Sequence, residues 1–256
     1  MTNETIIDYV NLVLNKEQKG NSLRPARRNT VLQAVNIILF EREYQRAGET
    51  AAEKVKPLYD ILMSNRAMKR FVTENNIEID ENGRGELPSE FREQIKLSIL
   101  NGRDDWFSCP FVSEERLDKF RFSLLETPKT DEYVAVIRND YFFVYPTNAE
   151  NCHFIYLRNP IIPVYDYCLG TSTDHEYYMP PGSIIQDGKL KLGGAVLQNN
   201  VISPTGLSTG YTSTSVELDW DNSMHVAFAN EILLLLGVNL QDQLAIQHAN
   251  NERAIK

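Results

Sequence analysis

Cysteine is scarce in this 256-residue chain, and the three present, Cys109, Cys152 and Cys168, are an odd number with wide gaps. That argues against a disulfide framework and against a CxxC-type zinc site, so free buried thiols are expected. Long apolar runs are missing: no window approaches the roughly 18 consecutive apolar residues of a membrane span. The opening Met1-Thr-Asn-Glu-Thr5 has no basic n-region and leads into no unbroken apolar core. This speaks against a secretory signal and for synthesis in a cytoplasm. Positive charge is short as well, with 26 Lys and Arg against 35 Asp and Glu, a net charge of −9. Such a surface collects little counterion-release energy from a phosphate backbone.

The familiar chemical signatures are absent. His153, His175, His225 and His248 are scattered without HxxxH spacing, and only Cys152-His153 and Asp174-His175 place a second ligand type beside one. Adjacent residues of a strand point to opposite faces, so Cys152 and His153 do not share an ion there. Gly193-Gly194 is followed by neither Lys-Ser/Thr nor a GxxG before a helix, which removes phosphate cradling. The close acid pairs are Asp104-Asp105, Glu114-Glu115 and Asp219/Asp221, and nothing near them predicts the raised pKa that an acid catalyst needs. No motif orients a base toward Cys109 or Cys168. The reading is of a chain with no catalytic residue, no metal site and no cofactor.

What is present is a clear ordering of periodicities. Ile6, Ile7, Val10 and Leu14 repeat as one helical face, ending in the polar loop Asn15 to Asn21. From Pro25, a first-turn proline, Val31, Leu32, Val35, Ile38 and Leu39 form a second stripe running to about Arg46, with Gly48 expected to stop it. Thr50 and Glu53 have capping-box spacing for a third helix, which Pro57 must kink or restart. Ile77 to Leu87 encloses the turn cluster Asp80 to Gly85, and Ile95, Leu97 and Ile99 alternate at period two before the aromatic Trp106, Phe107 and Phe111. Arg116 to Arg121 is expected as a short helical turn.

The densest strand signal lies at Tyr133 to Tyr167. Tyr133-Val-Ala-Val-Ile-Arg138 and Tyr141-Phe-Phe-Val-Tyr-Pro146 flank the two-residue turn Asn139-Asp140, and Phe154-Ile-Tyr-Leu-Arg-Asn-Pro160 follows. They read as a hairpin plus a third strand of one sheet. From Asp166 to Ser215, Gly, Ser, Thr, Pro and Asn dominate, with one hairpin signal at Ile184 to Leu192 turning at Asp187-Gly188. So little core-forming content predicts a projecting loop with a β-arm, or a segment ordered by a neighbour. Asp221 or Asn222 then caps a helix over Met224 to Leu236 with Val226, Ala229, Ile232, Leu233 and Leu236 inward, and Gly237 sits at C′. A last helix is expected from Leu240 to about Ala249, with a tail to Lys256.

The whole reads as α+β: a helical part over 1–76, a β part over 77–217 with an insertion at 166–215, and C-terminal helices over 218–256 packing on the first part. Basic residues Arg24, Arg27 and Arg28 cluster where the second helix starts. There they oppose the macrodipole and offer contact to phosphates or to a partner's acidic rim. With the arm's turn, Asp187 and Gly188, they are the candidate partner contacts.

Taken in order, five segments resemble the ring or adaptor proteins in the neck of short-tailed bacteriophages, above all those of crAss-like phages. They are Asn15-Lys-Glu-Gln-Lys-Gly-Asn-Ser-Leu-Arg-Pro25, Glu86-Leu-Pro-Ser-Glu-Phe91, Phe143-Val-Tyr-Pro146, Tyr156-Leu-Arg-Asn-Pro-Ile-Ile-Pro163, and Glu217-Leu-Asp-Trp220 followed by Ile232-Leu-Leu-Leu-Leu-Gly-Val-Asn-Leu-Gln-Asp242. The resemblance implies a virion structural protein made in the host cytoplasm. It implies a homo-oligomeric ring, commonly of twelve copies, that binds the portal and other neck or tail rings and has no enzymatic activity. DNA passes through such a ring without sequence-specific binding, and an acidic surface suits that passage. The segment 166–215 departs from the shorter connection of the simplest members. Two other classes stand beside this reading. A carbohydrate-active β domain needs an acid pair in a cleft with aromatic platforms, and a nucleic-acid-binding protein needs a basic stripe.

Overall fold

A computed structural model describes residues 2–17, 23, 25–100, 106–122, 132–172 and 175–237. Its helices are α1 (Asn3–Glu17), α2 (Pro25–Lys54), α3 (Leu58–Ser64), α4 (Glu114–Phe122) and α5 (His225–Leu235). The first seven strands are β1 (Val72–Glu78), β2 (Arg84–Glu86), β3 (Phe91–Leu100), β4 (Trp106–Ser108), β5 (Val134–Arg138), β6 (Tyr141–Tyr145) and β7 (Asn151–Arg158). The others are β8 (Tyr167–Gly170), β9 (Glu176–Tyr178), β10 (Ile184–Gln186), β11 (Lys189–Leu192), β12 (Ala195–Asn199), β13 (Val201–Ile202) and β14 (Tyr211–Thr212). All strand pairings between these are antiparallel, and the fold is α+β. No helix among the described residues is long and apolar enough to cross a membrane.

The chain forms two compact units, one of residues 1–45 with 160–256 and one of residues 46–159.

In the first unit, Ile6, Ile7, Val10 and Leu14 are all buried, as their spacing predicts, and α5 packs against α1. Leu32, Val35, Leu39 and Phe40 bury one stripe of α2. Gly48 does not stop this helix, and Thr50 with Glu53 opens no new one, because α2 continues to Lys54. A lone glycine costs only about 1 kcal/mol against alanine in a helix, and Ala47, Glu49, Ala51 and Ala52 around it are good helix formers. The break comes where Val55 takes a positive φ of 50° and Pro57 starts α3. On α5, Phe228, Ala229, Ile232 and Leu233 are buried, whereas Val226, expected inward, is 65% exposed. Asp221 caps the preceding 3₁₀ turn by accepting from Ser223 N, and Gly237 closes the helix with φ 78°. The expected helix from Leu240 and the tail lie outside the described residues.

The segment 166–215 is not a bare projecting loop. It carries β8 to β14, in sheets ordered β13-β8-β9 and β12-β11-β10-β14, around a small core of Cys168, Met179, Ile185, Leu190 and Val201. Two-residue turns make this economical: Asp187-Gly188 (φ 52° and 67°) and Gly193-Gly194 (φ 56° and 87°) both hold the doubly left-handed geometry that matches strand twist. The hairpin expected at Ile184 to Leu192 is therefore present, with its turn at Asp187-Gly188.

The second unit holds sheets β1-β7-β3-β4 and β2-β6-β5. The hairpin β5-β6 forms around Asn139, which takes φ 41°. The expected third strand does not join it, since β7 lies between β1 and β3 in the other sheet. Both faces of the hairpin are covered. Val134, Val136 and Phe143 pack on Leu117 of α4, while Ala135, Phe142 and Val144 enter the main core with Phe154 and Tyr156. Such two-sided burial explains why these strands read as near-continuous apolar runs.

Candidate functional site

Of the basic residues at the start of α2, Arg24 lies outside the described residues and Arg27 is exposed. Arg28 is turned inward. Its guanidinium pairs with Glu176 at 2.6 Å, lies 5.0 Å from the centre of the Tyr165 ring, and donates from Nε to Leu23 O at 3.1 Å. An arginine so buried ties α2 to β9 and is no surface contact for a partner. Removing one member of such a pair would strand a charge at a cost of about 3–5 kcal/mol. Burial, opposed by Arg28, pushes the Tyr165 hydroxyl up to about 12.

Next to the apolar stripe of α2 runs a polar one that the periodicity did not reveal. Asn29, Gln33 and Asn36, at helical spacing, donate their side-chain amides to the carbonyls of Tyr165, Pro163 and Ile161. Asn29 Oδ1 also accepts from Tyr165 N, and Asn36 Oδ1 accepts from the fully buried Trp220 at 2.6 Å. The strap 161–165 offers backbone groups that no sheet pairs along most of its length, and these amides satisfy them. Asn3 adds bonds to Val164 O and Val216 O, and Val164 and Val216 also exchange backbone hydrogen bonds with each other as an isolated antiparallel bridge.

A second organiser missed by sequence reasoning is Asp166, 6% exposed. Its carboxylate accepts from Tyr211 Oη, Thr214 N, Thr214 Oγ1 and Tyr167 N, while its own N–H donates to Ser215 Oγ. The signal that could have exposed it is an aspartate set inside Val164-Tyr-Asp-Tyr167, opposite the hydroxyl run Thr212 to Ser215. These bonds close the segment 166–215 on itself.

Beside the exposed Ile37, Ile161 and Ile162, two further sets of apolar side chains on this unit remain uncovered. Ile184, Leu192, Val196, Leu197 and Leu207 are exposed around the β10-β11-β12 sheet, whose edge strand β12 has three consecutive exposed residues, Ala195 to Leu197. Tyr9 and Leu12 of α1 and Val226, Leu234 and Leu235 of α5 form the other set. Beside it lies a pocket of about 120 Å³ lined by Thr5, Ile6, Tyr9, His225, Val226 and Ala229. The buried His225 Nε2 has no hydrogen-bond partner among the described residues. Asp187 and Gly188 sit at the tip of the β10-β11 turn, where Asp187 N donates to Thr209 Oγ1 and Gly188 N donates to Ser208 O.

The groups weighed for chemistry are placed otherwise. All three cysteines are buried free thiols. Burial pushes Cys109 well above the ordinary thiol value, Cys152 up to about 12 and Cys168 up to about 11. Glu114 is held below the usual carboxylate range by its bonds to Arg138, and Asp221 serves as a cap. Asp104 and Asp105 lie outside the described residues. Among the described residues no group of three His, Cys, Asp or Glu is placed to hold a metal ion.

No protein-family model matches the chain, and no curated protein is significantly similar to it.

Proposed function

We propose that this protein is a structural subunit of a closed ring in the neck of a short-tailed phage, joining portal to tail around the DNA channel. One observation carries the reading: a single compact unit has exposed apolar sets on different elements, among them one on the β10-β11-β12 sheet and one on α1 and α5. A closed ring needs a heterologous interface, in which one patch meets a different patch on the next copy. Uncovered apolar sets of this kind are what such an interface buries. The resemblance of the five sequence segments supports the location, and the net charge of −9 suits a wall past which DNA slides.

The test is native mass measurement of the purified protein, alone and with portal. The expected result is one closed stoichiometry, with further mass on adding portal. Leu197→Asp and Val226→Asp should each abolish the ring, and mixing the two variants should give dimers, because each still offers one intact patch. A monomer at tens of micromolar that ignores portal would overturn the proposal.

A further inference from the structure

We propose that the cleft between β1 and β2 binds an extended, basic segment of a partner polypeptide, which adds as a strand to the open edges of the two sheets. This goes beyond the ring reading and uses only the second unit. Chain geometry opens the cleft. Asp80 N donates to Arg84 O at 2.9 Å, and Asp80 Oδ1 accepts from Asn82 N and Arg84 N at 2.9 and 2.7 Å, pinning β1 and β2 together at the turn. Beyond the pin they diverge, since β1 pairs with β7 in one sheet and β2 with β6 in the other. Each is an edge strand among the described ones.

The direction of the backbone groups follows from the pairing. Ile79 N donates to Glu150 O, so by antiparallel alternation Ile77 and Asn75 face β7. Asn76 and Glu78 then present their N–H and C=O groups to the open side. On β2, Gly83 O accepts from Val144 N and Leu87 N donates to Asp140 O, which turns Gly85 toward β6 and Glu86 toward the cleft. The backbone of Arg84 is already engaged by Asp80. Two unpaired edges thus line one cleft of about 1,050 Å³. Open edges with free donors and acceptors are what strand addition uses for affinity.

Charge selects the occupant. Glu78, Asp80, Glu86 and Asp140 border the cleft against one guanidinium among the described residues, that of Arg84, which lies 5.3 Å from the centre of the Tyr141 ring. Glu74, Asn76 and Glu78 put acidic and polar side chains along the exposed face of β1. A second copy of the same edge would bring like charge to like charge, whereas lysines or arginines at alternate positions of an incoming strand meet opposite charge. Ile77 and Leu87 at the base pack on the core, so the site has an apolar floor under a charged rim.

The test uses the full chain and a synthetic peptide, acetyl-Lys-Val-Lys-Thr-Lys-Val-Lys-amide. Two controls accompany it, one N-methylated at alternate residues and one with Glu in place of each Lys. Binding is read by fluorescence anisotropy and amide hydrogen exchange. The basic peptide should slow exchange at Asn76, Glu78 and Glu86, and both controls should bind about tenfold or more weakly. Glu78→Lys with Glu86→Lys, both exposed in the free protein, should weaken the basic peptide similarly. Asn76→Pro, which deletes an edge donor without touching charge, should also weaken it. Equal affinity of the N-methylated peptide would show charge attraction without strand addition and overturn the proposal. So would protection located elsewhere, or no binding. None of these outcomes bears on ring formation, which native mass measures separately.

Discussion

Replacing Asn36 by alanine tests whether the amide stripe of α2 holds the first unit together. Asn36 is 2% exposed, donates to Ile161 O at 2.9 Å and accepts from Trp220 Nε1 at 2.6 Å. Alanine strands the buried indole N–H at a cost of about 1–3 kcal/mol and removes the bond to the part-buried Ile161 carbonyl, worth about 0.5–1.5 kcal/mol. The sum is roughly 1.5–4.5 kcal/mol, which for a unit of this size lowers Tm by roughly 4–15 °C. Thermal unfolding followed by tryptophan fluorescence in a Trp106→Phe background isolates Trp220, because the chain has two tryptophans. Trp220 packs edge-to-face on Phe228, so its emission reports the unit directly. The companion Asn36→Ala in a Trp220→Phe background, its unfolding read by calorimetry because no tryptophan of this unit remains, should lose about 1 kcal/mol less than in the presence of Trp220, because no indole N–H remains to be stranded. A Tm change under about 2 °C, or a loss identical in both backgrounds, would refute the assigned bonds.

Two further perturbations probe the same unit. Asp166→Asn places an NH₂ among groups that donate and should raise amide exchange over Tyr211 to Ser215, while exchange at the buried Phe142 and Phe154 of the other unit stays unchanged; coupled loss in both would contradict the separate networks. Burial first, then Asp8 and Glu217, pushes the Glu4 carboxyl above its ordinary range. Its folded pKa thus exceeds the unfolded one, so its stabilising share is complete below the unfolded value and is lost as pH rises through the folded value. Glu4→Gln should therefore raise Tm at pH 7, with the gain vanishing as pH falls through the carboxylate range. A gain independent of pH would show another cause.

The amino-acid sequence by itself determined the local features of this protein. The buried face of α1, the restart at Pro57, the turns at Asn139 and at Asp187-Gly188, and the C′ Gly237 all follow from side-chain period or from φ preference. Both act over a few residues, so a short window contains their cause. Only the tertiary structure decided that α2 runs through Gly48, since a breaker worth about 1 kcal/mol yields to flanking helix formers and burial. Only it assigned β7 to the sheet of β1 and β3 instead of to the hairpin beside it, because edges of equal local propensity are sorted by which core they complete. The candidate contacts divide the same way. The turn Asp187-Gly188 was legible, whereas Arg28 reads as a surface cation until Glu176, far along the chain, arrives to pair with it. Asn36 and Asp166 were silent for that reason: a buried polar side chain is meaningful only once the backbone it satisfies has been folded against it.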